Sequence, residues 1–341
     1  MAYFLINKKK VLEQYNKISN LSDIVSYSMK TNIDVSKILN KETNCWFSIH
    51  HIRYAKMYDP KRIIYFITGD TLKQIEKYIK LGIDKFVVDN IYDYSTIKKV
   101  IENNPEKKLT IFLRMKLKEF TIHTEKHFVF GMYSEKINEL VSELSNYKNI
   151  TIGIHVHRKT QNTGEWNLLE ELQNNLTETT IKNIKYFCSG GGYPIVYKNY
   201  PENQENNVFI KLKELKSWLN KKEIKLITEP GRYICGPSVE LHSKIISIYD
   251  DTITLDCSIY NGAMDTFVAN IRLPIKNETN LGYKYTIKGK TPDSIDIFRY
   301  KVFFEKQKKV GEKIIFENAG AYNYSTNLFG LKKLPIKIIE G

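Results

Sequence analysis

Eight short runs of aliphatic, β-branched or aromatic residues punctuate this chain, at 22–28, 45–49, 62–68, 85–89, 109–115, 151–157, 184–189 and 225–229. Most are separated by stretches in which apolar residues recur every three or four positions: 72–81, 92–102, 134–146, 165–176 and 208–221. Near-continuous apolar runs are what strands buried on both faces require, and helical crossovers between them make the strands parallel. Eight such units over roughly 210 residues predict an α/β fold, a closed (β/α)8 TIM barrel. Past Gly231 the rhythm changes. Strand-like runs at 244–249, 252–256, 283–287 and 313–318 carry little helical periodicity. The expected organisation is a barrel over residues 16–235 and a mainly β domain over 236–341, with the segment 1–15 joining that β domain through residues 3–6.

Composition narrows the function class. The formal net charge is +14, but lysine is spread along all 341 residues, and Lys8-Lys9-Lys10 is only a short run. A solvated lysine-rich surface is expected rather than a nucleic-acid footprint. Cys45, Cys188, Cys235 and Cys257 are far apart and form no Cys-x-x-Cys pair, which favours reduced thiols over disulfides or a zinc site. The N-terminus lacks a long apolar stretch, and no run is long enough to span a bilayer. The expectation is a cytoplasmic protein with neither nucleic acid nor membrane as partner.

In a barrel of this kind chemistry gathers where strands end. Those ends carry Lys30, Arg114, His157, Gly190-Gly191-Gly192 and Glu229-Pro230-Gly231-Arg232. A lysine at the mouth of a buried strand must reach water, pair or react, and a desolvated amine becomes a nucleophile. Three glycines after a strand form either a flexible turn or an anion cradle, with Arg232 able to add charge. His155 and His157 share one strand face. No third metal ligand follows from the spacing, so the flat His157 ring is read as a stacking surface and no metal is expected. Glu229 either salt-bridges Arg232 or fixes the proton of a heteroaromatic nitrogen.

Taken together, the motifs resemble a known family. Ser26-Tyr27-Ser28-Met29-Lys30-Thr31-Asn32 is similar to the YAVKAN-type segment of the fold-type III, pyridoxal-phosphate-dependent amino-acid decarboxylases, which act on ornithine, arginine, lysine, diaminopimelate or carboxynorspermidine. The likeness continues in order through Gly153–His157, Ser189–Gly192, Glu229–Tyr233, Thr291–Asp296 and Gly320–Tyr322. It implies an alanine-racemase-like fold and pyridoxal 5'-phosphate as cofactor. Lys30 would carry the cofactor covalently, His157 would stack on its ring and Glu229 would meet its ring nitrogen. Gly190, Gly191, Gly192, Gly231, Arg232 and Tyr322 would hold the phosphate, with Thr160 nearby, and Arg114 would approach the phenolic side. Asp293 matches an acid that the family supplies to the partner subunit's site, so the resemblance implies a homodimer with shared active sites.

Departures mark an outlying member. Pro292 stands where the family has a cysteine that helps direct protonation, and Thr160 replaces a serine. Cys45-Trp46-Phe47-Ser48 lacks a common acid, Val129-Phe130-Gly131 lacks a lysine, and His157-Arg158-Lys159-Thr160-Gln161-Asn162 is unlike HVGS. For the substrate, Asp293, Asp296 and Asp265 are candidate partners for the cationic side chain of a basic amino acid or carboxy-polyamine, whereas Arg272 suggests an anionic distal group, as in diaminopimelate. An aminocarboxypropyl group of a natural product stays open. The rival classes are an amino-acid racemase, which usually places arginine where Glu229 stands, and a non-catalytic binding relative.

Overall fold

The chain opens with strand β1 (Tyr3–Asn7) and then enters the predicted barrel. Strands β2 (Ile24–Ser28), β3 (Trp46–Ile49), β4 (Ile63–Phe66), β5 (Lys85–Val88), β6 (Leu109–Arg114), β7 (Ile150–His155), β8 (Ile184–Cys188) and β9 (Lys225–Thr228) form one closed sheet. Each pairs parallel with its neighbours, and β2 closes the ring on β9 with Ile24 opposite Ile227. This computed structural model describes residues 1–117, 129–161, 164, 166–200, 205–323 and 325–341.

Side chains alternate along a strand, so every second residue points into the barrel. Ile64, Val87, Phe112, Cys188 and Ile227 fill the interior as one buried cluster. Burying a side chain such as Phe112 stabilises by about 1.5–3 kcal/mol. Two residues further along, the inward positions turn polar: Ser48 on β3, Arg114 on β6, His155 on β7 and Glu229 just past β9. An apolar plug thus supports a polar layer at the C-terminal end.

Helices Ile33–Glu42, Leu72–Lys80, Ile91–Asn103, Ser134–Leu144, Leu168–Asn175, Glu178–Asn183 and Glu205–Asn220 cover the outside. Asn32 starts the first by accepting from the Asp34 and Val35 amides, a cap worth about 1 kcal/mol. The β3–β4 link departs from the strand–helix rule. It holds only the 3₁₀ turns Ile52–Met57 and Pro60–Arg62, and Tyr58 covers the barrel by stacking on Phe47 at 4.0 Å.

The second sheet is built from β10 (Val239–Tyr249), β11 (Thr252–Leu255), β12 (Tyr283–Lys288), β13 (Ile297–Phe304), β14 (Lys313–Phe316) and β15 (Ile336–Ile339), together with β1. β1 runs antiparallel to β10, with Phe4 opposite Leu241, and parallel to β15, with Phe4 opposite Ile336. Helix Lys8–Ser19 follows β1 directly and buries Val11 and Ile18, so it crosses residue 15 without a break. β13 and β15 are not legible as strands in the sequence. In β13 the left-handed Lys301 (φ 52°) breaks the alternation, and β15 is an exposed edge with little apolar burial.

The two parts meet at the turn that carries Lys30. Asn32 Nδ2 donates to the Gly320 carbonyl at 2.8 Å, and the Tyr322 amide donates to the Thr31 carbonyl at 3.1 Å. The lysine loop is therefore tied by two hydrogen bonds to residues 320–322.

Candidate active site

Lys30 lies in the single 3₁₀ turn Met29–Thr31 at the end of β2 and projects into a cavity of about 450 Å³. Arg114, His157, Thr160 and Glu229 line the same cavity. An adjoining space of about 40 Å³ shares Lys30, His157, Thr160 and Glu229, and adds Gly191, Gly192, Gly231, Arg232 and Tyr322. Strand ends that are distant in sequence thus converge on one amine.

The Glu229 carboxylate is buried and held on both oxygens. The Ser48 hydroxyl donates to Oε1, and His155 Nε2 lies 2.8 Å from Oε2. Burial alone would raise its pKa, but the charge and hydrogen bond of His155, with the bond from Ser48, outweigh it and bring the pKa down to about 2. Glu229 is therefore anionic throughout the physiological range. Its negative charge partly offsets the effect of burial on Lys30, whose pKa is still lowered, with Arg114 adding to the lowering. A lowered pKa enlarges the fraction of lysine present as free amine.

His157 extends past β7, its ring nearly parallel to that of His155 at 6° and 6.4 Å. Its Nδ1 accepts the Gly191 amide at 3.3 Å, and burial, reinforced by His155, keeps its pKa well below the ordinary histidine value. A neutral, fixed imidazole face therefore lines the cavity beside Lys30. Ligand-type atoms of His155, His157 and Glu229 lie within 4.8 Å of one another. Glu229 thus joins the two histidines as a third ligand-type group that the spacing did not reveal, and the hydrogen bond between His155 and Glu229 links two of the three.

Around the smaller space the backbone comes close. Gly190 has φ +65°, and a Cβ there would stand 2.1 Å from the Val156 carbonyl. At Gly231 a Cβ would meet Thr31 Oγ1 at 2.2 Å. Only glycine permits these contacts with the protein's own atoms; Gly190 itself lines neither cavity, whereas Gly191, Gly192 and Gly231 line the smaller one. Arg232 is buried and engaged: two of its nitrogens bond Asp265, Nη1 also donates to Tyr197 at 2.8 Å, and Nε donates to Thr160 at 2.8 Å. The Tyr322 ring lies 5.2 Å from its guanidinium. Together the glycine backbone, Tyr322, the amine and the flat imidazole fit a phosphorylated, aldehyde-bearing aromatic cofactor in shape and in donor chemistry.

A family model described as the pyridoxal-binding domain of pyridoxal-dependent decarboxylases matches residues 49–236, more than half of the chain. The chain belongs to the pyridoxal-dependent decarboxylases. Pyridoxal phosphate is accordingly its cofactor, and amino-acid decarboxylation its class of reaction. Solved structures agree on the fold. The lysine/ornithine decarboxylase of Vibrio vulnificus, complexed with putrescine, superposes with a TM-score of 0.80 at 18% identity, covering 99% of this chain and 94% of that one. Diaminopimelate decarboxylase of Helicobacter pylori, complexed with L-lysine, gives 0.83 at 16%, covering 100% and 92%. Lysine decarboxylase of Selenomonas ruminantium gives 0.78 at 18%, covering 100% and 93%. No curated protein sequence matches the chain. No described helix of this decarboxylase is long and apolar enough to cross a membrane.

Four residues read from the sequence as substrate contacts line neither cavity, and one of them, Asp265, is committed to its buried pair with Arg232. Asp296 is fully buried, with the Ile259 amide on Oδ1 and the Thr291 amide and hydroxyl on Oδ2, so it holds a turn rather than a ligand. Arg272 is exposed, and its backbone ties down Asn199 and Lys198. Asp293 is half-buried on the β domain, where Tyr260 donates to its Oδ2 at 2.6 Å.

Other groups in the site were not singled out from the sequence. Asp89 pairs with Arg114 at 2.9 Å and also accepts the Gly131 amide. His50 lines the large cavity, its ring 4.5 Å from that of Phe66, and burial followed by the Lys30 charge lowers its pKa to about 4. Both could have been found by following the period-two inner face one residue past β5 and β3. Asn162 and residues 118–128 lie outside the described residues.

Proposed function

We propose that this decarboxylase removes the α-carboxylate of a basic amino acid or carboxy-polyamine, with Lys30, His157 and Glu229 as the catalytic residues. The observation that carries the reading is the pairing of an amine with a lowered pKa and a carboxylate held ionised in one cavity. Bound pyridoxal phosphate supplies an electron sink for the electron pair left when the bond from Cα to the carboxylate breaks. Lys30 provides the free amine that holds the cofactor aldehyde. Glu229 provides the fixed negative charge that keeps the ring nitrogen protonated, and His155 and Ser48 hold that carboxylate in place. His157 offers its face to the ring. Gly190, Gly191, Gly192, Gly231 and Tyr322 would hold the phosphate, with Thr160 and Arg232 joined to each other in the wall beside them. Arg114, oriented by Asp89, would face the cofactor's phenolic oxygen.

Asp293 supports the preference for a cationic substrate. The hydrogen bond from Tyr260 lowers its pKa, so it is ionised. Tyr260 also packs against Phe329, an exposed aromatic, at 5.9 Å. Asp293 lines neither of the two cavities around Lys30, so its contribution is proposed to come across a homodimer, into the site of a second copy. The exposed position of Arg272 lends no support to a diaminopimelate-like anionic end. A racemase is disfavoured by the acid at Glu229, a position where racemases of this fold usually place arginine.

The test is CO₂ release from the purified holoenzyme across ornithine, lysine, arginine, diaminopimelate and carboxy-polyamines. Release from a basic member supports the proposal. Release from diaminopimelate alone would overturn the substrate choice, and racemisation without CO₂ would overturn the reaction.

A further inference from the structure

Directly after His157 the chain buries an arginine completely. Arg158 is 0% exposed, and its guanidinium lies 3.7 Å from the centre of the Trp166 ring. Its Nη2 donates to the Ser189 carbonyl at 2.8 Å and reaches the Gly191 carbonyl at 3.4 Å. Both carbonyls belong to the glycine turn, so one side chain grips that turn at two points, two residues apart.

The grip has a directional consequence. In a trans peptide the carbonyl of one residue and the amide of the next point in opposite directions. With the Gly191 carbonyl turned to Arg158, the Gly192 amide faces the other way, on the side where Gly192 lines the small cavity. The turn needs glycine here, since Gly192 has φ +96° and an added Cβ would stand 2.7 Å from the Lys159 carbonyl. Arg232, the cation that the sequence puts forward for the phosphate, is already committed to Asp265.

We infer that Arg158 is a positioning residue for cofactor recognition: it fixes the Ser189 and Gly191 carbonyls so that the glycine turn presents its amide to the cofactor's phosphate. The inference rests on reading that turn as the phosphate site. Burying a guanidinium is costly unless it is hydrogen-bonded, and here the bonds it makes set the shape of the turn.

The experiment titrates the apo-protein in parallel with pyridoxal phosphate and with pyridoxal, which lacks the phosphate, following protein fluorescence. Wild type, Arg158→Met and Arg158→Lys are compared. The expected result is a preference for pyridoxal phosphate in the wild type that falls about tenfold or more in Arg158→Met. Affinity for pyridoxal should stay within about threefold of wild type. Arg158→Lys, which can bond one carbonyl but lacks the planar fork, should fall between. If Arg158→Met does not fold, the lysine variant alone decides, by a reduced preference or an unchanged one. An unchanged preference overturns the inference, as does an equal loss for both ligands, which marks a role in folding only. A wild type without any preference for the phosphate would overturn the reading of the glycine turn itself.

Discussion

His155 Nε2 and Glu229 Oε2 lie 2.8 Å apart, buried beneath the cavity that holds Lys30. With Glu229 ionised, the imidazole donates and the carboxylate accepts, and Ser48 completes the carboxylate's support. The charge is thus fixed before any ligand arrives, at the point where the proposed mechanism needs it. Replacing Glu229 with Gln keeps the shape but removes the charge. Its kcat for CO₂ release should fall about 100-fold or more, while cofactor binding is retained. Equal losses in binding and turnover would point to a structural role instead.

The same carboxylate sets a pH dependence. Its folded pKa, about 2, lies below the ordinary carboxylate value, so it contributes stability above that ordinary value. That contribution is lost as pH falls from about 4.5 towards 2. Thermal unfolding midpoints should drop across this window in the wild type and less steeply in Glu229→Gln. Parallel curves for the two proteins would contradict the assignment.

Arg232 and Asp265 form a buried ion pair between the barrel and the β domain. Asp265→Asn leaves a buried guanidinium without its counter-charge. Unfolding free energy in denaturant should decrease by about 3–5 kcal/mol. A loss below about 1 kcal/mol would mean that water or another acid takes over the pairing.

If Asp293 serves the site of a second copy, two inactive variants should complement each other. Lys30→Ala and Asp293→Ala, each nearly inactive alone, would recover roughly a quarter of wild-type activity after mixing and reassembly, because random pairing leaves one site in four intact. No recovery, with mixed dimers demonstrated, would place Asp293 outside the shared site.

All four cysteines are free and buried, and burial pushes the Cys45 and Cys235 thiols up to about 12 and Cys188 well above its ordinary value. A thiol reagent should modify none of them in the native protein and all four after unfolding. Fast reaction of one cysteine without unfolding would reveal an opening near it.

The barrel was legible because its strands are buried on both faces, which leaves compact apolar runs with reactive residues at their ends. Lys30, Arg114, His157 and Glu229 could be read in this way, since a strand end fixes both position and direction. Asp296 misled for the opposite reason. In a loop, sequence does not tell an acid that faces a ligand from one that bonds neighbouring amides. Partnerships were hidden as well. Nothing in the separation of Ser48 from Glu229, or of Asp89 from Arg114, announces a contact that arises only when the barrel closes. The β domain was read less fully because β13 is bulged at Lys301 and β15 lies on an exposed edge.

The most direct measurement pairs absorbance with CO₂ release in wild type and Lys30→Ala, each reconstituted with pyridoxal phosphate. Wild type should show the visible band of lysine-bound cofactor and release CO₂ from a basic amino acid or carboxy-polyamine, whereas Lys30→Ala should show neither. A Lys30→Ala protein that keeps both the band and the activity would contradict the assignment of Lys30.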